Sequence, residues 1–446
     1  LGLLEEELDR GTCPEDIGFF TFTKQAVQEG KTRAMSRFAI GNNQLPYFRT
    51  LHSLCFFQLG LSKDSVFSAS DYRDLNDKLN LRLTGSINSE EGHVSGISKD
   101  DRLLFIENLS RMRQVSLESQ WHDSDDAVGW FELERFSRGL ELFKKDRMLI
   151  DYTDMLNLFL TRGRAPKLDV MFVDEAQDLS PLQWAVVRKL CESADRIYIA
   201  GDDDQAIYRW AGADVDYLIR NSKDAMVLKQ SYRIPKSIHT LAERCIGQVG
   251  ARVHKTWNPR KEEGHVSWEP SYESINMESG EWLVLARTNY LLNSIEEHCR
   301  SEGWFYKNKN RASVSEKKIM AVRSWENFRK GGLIPVIELT KVLNYLKVRV
   351  PSSLEMIDFD TNVSFEQAKK YVPTLENEYW YDAFIGVSVS ERSYIRAMLR
   401  RGEKITKEPR IKLSTIHAAK GGEAENVILL TDISNRIYKS FQSNPD

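Results

Sequence analysis

The 446-residue sequence has little of what would mark an extracellular, membrane or fibrous protein. Its five cysteines, Cys13, Cys55, Cys191, Cys245 and Cys299, stand far apart and form no Cys-x-x-Cys pair. Neither a disulfide framework nor a zinc site is suggested by them. Glycine (25) and proline (12) are too few for a collagen-like or low-complexity chain. No sign of charge dominates: 62 Lys and Arg face 65 Asp and Glu, a net charge of −3. Whole-chain charge therefore cannot argue for a polyanionic partner, and only local patches could. The longest apolar runs, such as 170–173 and 427–430, are far short of a membrane span. No basic-then-apolar leader opens the chain. These absences predict a soluble, cytoplasmic protein with no membrane partner. An initiator methionine is also lacking, since the chain starts at Leu1 and its first methionine is Met35, so a truncated or processed chain is expected.

What is present is ordinary globular composition, 41% hydrophobic, at a length that predicts two to four domains. Several short apolar runs end abruptly in polar residues, as buried parallel strands do. They are 17–22, 168–173, 196–200, 225–228, 282–286, 411–416 and 427–430. Helical stretches lie between many of them. The clearest opens at Ser180, with Pro181 at the first helical position and Gln183 completing a capping box. This alternation predicts an α/β fold with parallel sheets and ligands at the carboxyl ends of the strands. Two regions break it. Residues 61–145 read as helical and polar, with an acidic loop over 121–126, and 308–408 is again mostly helical. In the second, basic blocks at 301–350 (11 Lys/Arg) and 391–412 (8) flank an acidic one. Charge runs are usually solvated helix faces, but this arrangement could also track a nucleic-acid backbone.

The chemistry sits after the strands. The 168–173 run ends in Asp174-Glu175-Ala176-Gln177. Phosphoryl transfer from a nucleotide needs one acid to hold Mg²⁺ and another group to orient the attacking water, and these carboxylates suit both tasks. An acidic loop after a core strand is the plainer alternative. The 196–200 run leads into Gly201-Asp202-Asp203-Asp204-Gln205, where the Gln205 amide can sense a terminal phosphate. Tyr208 and Trp210 come next, two residues apart. In an extended segment both rings share one side, a platform for unpaired bases; the alternative is an aromatic pair in the core. In Gln230-Ser231-Tyr232-Arg233, Arg233 could reach a γ-phosphate and Tyr232 could stack on a nucleobase. In 411–427, the Gly421-Gly422 backbone can approach phosphates and Glu423 can accept from ribose hydroxyls.

In this order, the segments resemble the motifs of the UvrD/Rep-like superfamily 1 DNA helicases. Thr21-Phe22-Thr23-Lys24-Gln25-Ala26, Thr50-Leu51-His52-Ser53 and Asp151-Tyr152-Thr153-Asp154 are similar to further motifs of that family. The resemblance implies two RecA-like motor domains of the P-loop NTPase type, each with a mainly helical insertion. The first motor would comprise 1–60 and 146–229, interrupted by 61–145. The second would comprise 230–307 and 409–446, interrupted by 308–408. The implied activity is ATP hydrolysis, with Mg²⁺, coupled to 3′-to-5′ movement on single-stranded DNA and at single/double-strand junctions. Carried over, Asp174 is the Mg²⁺ ligand, Glu175 the water-orienting base, and Gln205 and Arg233 the γ-phosphate contacts. Tyr232 would meet the adenine, and Gly421 and Glu423 the phosphate and ribose. Phe22, Thr23, Thr50, His52, Tyr208, Trp210 and His417 would line the DNA path.

Three departures from the pattern stand out. Ala211 replaces a usual arginine, and Gly422 and Ala424 stand where larger apolar residues are usual, which suggests a divergent branch, a phage type among the options. No G-x-x-x-x-G-K-[ST] phosphate loop occurs in the 446 residues. A fragment cut before that loop and before the last motif, inactive alone, is expected. The competing expectation is a non-catalytic, helicase-like DNA-binding or scaffolding subunit.

Overall fold

The computed structural model describes residues 1–87, 94–95, 98–124, 128–309, 311–405 and 407–433, with 438 and 442. Asp125 and Asp126 of the expected acidic loop, and most of 434–446, lie outside the described residues. No helix among the described residues is long and apolar enough to cross a membrane. The chain forms two compact units, Leu1–Gly264 and His265–Asp446.

The first unit is built on a four-stranded, wholly parallel sheet in the order Phe48–Thr50, Ile17–Thr21, Leu168–Val173, Ala194–Ile199. The interior strands are apolar because helices cover both faces. Phe20, Met171 and Val173 pack on one side with Leu182, Val186, Val187 and Leu190 of the Pro181–Cys191 helix. Ile17 and Val170 pack on the other with Leu4, Ala34 and Phe48. Each of these side chains other than Ala34, once buried, contributes about 1.5–3 kcal/mol. The Pro181–Cys191 helix starts as its sequence predicts: Ser180 Oγ accepts from Gln183 N–H (3.3 Å) and Gln183 Oε1 accepts from Ser180 N–H (2.8 Å).

Residues 61–145 carry helices Ala69–Leu79, Asp101–Arg113, Leu117–His122 and Trp130–Asp146 around a core of their own, including Leu75, Leu104, Leu133 and Phe143. That core meets the sheet-bearing part through a buried ionic network. The Arg111 guanidinium donates to Asp151 (2.9 and 3.0 Å) and Asp154 (3.0 Å), and Lys144 Nζ donates to the same two carboxylates (2.7 and 2.6 Å). Asp151 also caps the Tyr152–Arg162 helix, accepting from Asp154 N–H (2.8 Å).

The second unit holds a five-stranded sheet in the order Asn426–Leu429, Trp282–Ala286, Ile411–Thr415, Tyr306–Asn308, Arg311–Ala312; only the last strand runs antiparallel. Its helices, among them Glu316–Arg329, Val336–Tyr345 and Val389–Arg401, share one core with the sheet, centred on Trp325, Phe328, Leu339 and Ile395.

One expected strand is absent. Residues 225–228 are not in a strand, and Met226 and Leu228 are each 80% exposed. Four apolar residues make a buried strand only if a neighbour pairs with them and a helix covers them. Among the described residues this run has neither.

Candidate functional site

The interior Leu168–Val173 strand is extended by one further ladder bond, Asp174 N–H to the Phe20 carbonyl (2.8 Å). Glu175 then enters the left-handed region at φ +55°. That conformation costs a non-glycine residue roughly 1–2 kcal/mol and persists only where its surroundings over-determine it. Here Asp174 Oδ1 accepts from Glu175 N–H (3.0 Å), Ala176 N–H donates to the Ala200 carbonyl (3.0 Å), and the Gln177 amide donates to the Glu175 carboxylate. Both carboxylates are thereby presented, half-buried, at the carboxyl end of an interior parallel strand. Gln177 is fully buried, and its Oε1 also accepts from Asp202 N–H (2.9 Å), so one amide joins the Glu175 turn to the next strand's acidic turn.

Gly201 opens that acidic turn, and close approach requires it. A Cβ there would lie 2.8 Å from Leu218 Cδ2 and 2.9 Å from Gln177 Oε1. Asp202 accepts from Asp204 N–H (3.2 Å) and from the exposed Gln205 amide. Two cations from some fifty residues along the chain close on the turn. Arg252 meets Asp204 with two parallel hydrogen bonds (2.8 and 2.7 Å), while Lys255 Nζ lies near Asp202 (2.9 Å), Asp203 (2.5 Å) and Asp204 (3.0 Å). Burial pushes the Asp204 carboxyl up, but hydrogen bonds from Arg252 and Lys255 outweigh it and hold the group below the usual range. Burial likewise pulls the Lys255 ammonium down, and Asp203, Asp202 and Asp204 together raise it above its ordinary value.

The two aromatics after this turn do not form the expected one-sided platform. Arg209–Ala211 is a 3₁₀ turn rather than an extended segment, so the rings diverge. Tyr208 is buried, 5.5 Å from the Phe22 ring within the first unit's core. Trp210 is 52% exposed and lies parallel to Phe105 at 6.3 Å. Thr23 caps the Lys24–Phe38 helix by accepting from Ala26 N–H (3.2 Å). Thr50 caps the Leu51–Gln58 helix by accepting from Ser53 N–H (3.2 Å) and is buried. His52 is buried with its ring edge-on to Tyr152 at 5.9 Å. Of the first unit's expected DNA-contacting rings, Trp210 is the one that is exposed.

The Gln230–Arg233 segment is pinned by backbone hydrogen bonds from Ser231 N–H to Asn258 O (2.8 Å) and from Asn258 N–H to Lys229 O (2.6 Å). Ser231 Oγ accepts from the N–H groups of Arg233 (3.3 Å) and Ile234 (3.2 Å), which sets a turn displaying Tyr232 (85% exposed) and Arg233. In the second unit the Ile411–Thr415 strand leads into a turn in which Thr415 Oγ accepts from Ala418 N–H (3.3 Å). Gly421 sits at φ +76° with open space where a side chain would project, and Glu423 beside it is exposed. His417 is half-buried, and burial followed by the nearby Arg287 lowers its pKa below the ordinary imidazole value. Among the described residues no three His, Cys, Asp or Glu side chains form a closed metal cage. A Mg²⁺ held by one carboxylate, waters and nucleotide phosphates needs none, so the Asp174 position fits that ion.

A UvrD/REP helicase N-terminal domain model matches residues 4–226, half of the chain. The ATP-dependent DNA helicase PcrA of Bacillus subtilis (strain 168) is 24% identical over 398 residues, covering 85% of this chain and 53% of the relative. A probable DNA helicase II homologue of Mycoplasma capricolum is 24% identical over 265 residues, covering 54% of this chain and 36% of that protein. PcrA of Staphylococcus aureus (strain Mu50) is 24% identical over 267 residues, covering 55% and 36% respectively. The chain thus spans about half the length, or less, of these curated relatives.

Proposed function

The chain belongs to the UvrD/REP helicase family, and from that premise we propose that it forms the motor body of an ATP-dependent DNA helicase or translocase moving 3′ to 5′ on single-stranded DNA. The observation that carries this reading is the Asp174–Glu175 turn and its tie to Gln205. Glu175 is held in a strained backbone conformation by hydrogen bonds, and Gln177 joins it to the acidic turn that bears Gln205. A catalytic carboxylate and a γ-phosphate-sensing amide need such a common frame, whereas a plain acidic surface loop does not.

In this reading each motor is RecA-like, the first comprising 1–60 and 146–229 and the second 230–307 and 409–446, with helical insertions at 61–145 and 308–408. Asp174 would hold Mg²⁺, which when bound neutralises charge on the transferring phosphoryl group. Glu175 orients and deprotonates the attacking water. Gln205 and Arg233 would contact the γ-phosphate, and the exposed Tyr232 ring would stack on the adenine. Gly421 gives a backbone open to phosphate oxygens, and Glu423 a ribose acceptor. Trp210 supplies a ring for an unpaired base. Thr23, Thr50, His52, Phe22 and Tyr208 support the fold around these groups, with His417 beside the Gly421 turn in the second unit.

The competing reading is a non-catalytic DNA-binding or scaffolding subunit, and the full-length gene decides between the two: a phosphate loop in it supports the motor, and its absence supports the subunit. Without that loop the β- and γ-phosphates lack their backbone cradle, a loss of about 100- to 1000-fold or more in rate. The test is Glu175→Gln in the full-length gene product. Hydrolysis stimulated by single-stranded DNA should be abolished while strand affinity stays within about twofold. Turnover unchanged by the substitution would refute the assignment of the base.

A further inference from the structure

The acidic turn at 202–204 and the Gln230–Arg233 segment are separate in sequence, yet one strap of backbone touches both. Its first part, at Arg252–Lys255, lies on the turn: besides the side-chain pairs, Val253 N–H donates to Asp203 Oδ2 (2.7 Å). Its second part pairs with the other segment, through Asn258 with Lys229 and Ser231, and through Arg260 N–H to Ile234 O (2.9 Å). The side chains at the turn are well shielded: Arg252 is 12% exposed, Lys255 15%, Asp203 7% and Asp204 14%. Charge-assisted bonds in such surroundings are about twice as strong as neutral ones, and Arg252 uses the two-pronged geometry that fixes orientation as well as distance. Both cations hold the short turn that ends in Gln205, five residues before Trp210.

We propose that Arg252 and Lys255 are positioning residues that lock the acidic turn, so that Gln205, Trp210 and the Gln230–Arg233 segment are carried as one unit. The inference rests on the proposed nucleotide and strand contacts, and it adds residues whose role is mechanical. A strap of this kind lets a shift at Arg233 reach Gln205 through backbone and ion pairs, and from there the chain runs on to Trp210 through a tight turn in which Ile207 N–H donates to the Gln205 carbonyl (3.0 Å). The contiguous path runs Arg233, Ser231, Asn258, Lys255, Asp202, Gln205.

The experiment uses this chain and the double variant Arg252→Ala/Lys255→Ala, with Lys255→Arg as the conservative control. Hydrogen exchange is followed in peptides covering 202–212, with 101–160 as an internal record of the fold. Affinity for a fluorescent single-stranded oligonucleotide is measured over a range of salt. In the double variant, exchange in 202–212 should rise while 101–160 stays protected. Oligonucleotide affinity should fall about tenfold with the slope of log K against log[salt] unchanged, and Lys255→Arg should recover most of it. Unchanged exchange in 202–212 overturns the lock. Faster exchange with undiminished affinity overturns the positioning role. A slope reduced by about one per deleted cation overturns it as well, because Arg252 and Lys255 would then be phosphate contacts themselves. Should the double variant not fold, Arg252→Gln, which leaves Lys255 in place, carries the same comparison. Failure of the unmodified chain to bind the oligonucleotide overturns the proposed function before any variant is made, and the positioning role with it.

Discussion

Replacing Lys144 by methionine removes one of the two cations of the buried network and keeps most of its aliphatic volume. In the unmodified protein Arg111 and Lys144 face Glu107, Asp151 and Asp154; afterwards three carboxylates face Arg111 alone. Lys144 and Asp151 are only 10% and 4% exposed, so water cannot replace the lost partner. Deleting one member of a buried pair costs about 3–5 kcal/mol, mostly the penalty of the charge left behind. Acid should shrink that cost. Burial pushes the Asp151 carboxyl up, yet Arg111 and Lys144 outweigh it and hold the group far below the ordinary carboxylate range. With its folded pKa depressed, Asp151 contributes stability that is present above the unfolded value of about 3.9 and is lost as pH falls below it. Without Lys144 it is held down less and has less to lose on acidification. The assay is urea unfolding at pH 7 and near pH 3, read by hydrogen exchange in peptides from 101–113 and 152–162, which separates this part from the second unit. A gap between Lys144→Met and the parent of less than about 1 kcal/mol at pH 7, or one that does not narrow in acid, would show that Lys144 does not compensate the buried Asp151 charge.

The same structure carries other expected outcomes. Trp210→Ala should weaken binding to a single-stranded oligonucleotide by about 1–3 kcal/mol with little effect on stability, since this ring is largely exposed. Tyr208→Ala should instead lower stability by about 3–5 kcal/mol, as the loss of a buried ring against Phe22 requires, and urea unfolding distinguishes the two. His417 should titrate below its ordinary value in an NMR pH series. As its folded pKa is depressed, the unfolded chain protonates first, so its contribution to stability is complete above about pH 6.5 and declines as pH falls through that value. Titration at or above 6.5 would contradict the burial that lowers it. Glu7→Ala should release the Gly2–Asp9 helix from the sheet. It removes a fully buried carboxylate that accepts from Arg196 (2.9 Å) and Tyr198 (3.0 Å), and exchange within 2–9 should rise at once.

How much of this was legible in the sequence depends on whether the signal is local. The runs at 168–173 and 282–286 read as strands because both their faces are covered, which leaves mostly apolar stretches, and the 411–416 run, whose strand is Ile411–Thr415, shows its buried Ile411 and Leu413 in alternation. The helix after Ser180 was legible because its cap is written in four consecutive residues. Phe48–Thr50 and Tyr306–Asn308 are only three residues long and carry no period to detect. The 225–228 run had the apolar content of a strand, but content says nothing about whether a neighbour pairs with it. Asp174, Glu175 and Gln205 stood out as candidates because each stands in the polar turn that closes an apolar strand. Gln177 was not, since an amide that both donates and accepts across two turns looks like any glutamine until the turns are placed. Arg252 and Lys255 lay further out of reach. Ion pairs spanning about fifty residues leave no mark on local pattern, and the divergence of Tyr208 from Trp210 depended on a 3₁₀ turn that two-residue spacing cannot announce.

Equilibrium binding of this chain to a single-stranded oligonucleotide, set against a blunt duplex of the same length and repeated across salt concentrations, bears most directly on the account. A strand-tracking motor body should bind the single strand preferentially, with log K falling linearly against log[salt] and binding weakened further by Trp210→Ala. Absence of binding, or equal affinity for both forms with no effect of Trp210→Ala, would contradict it.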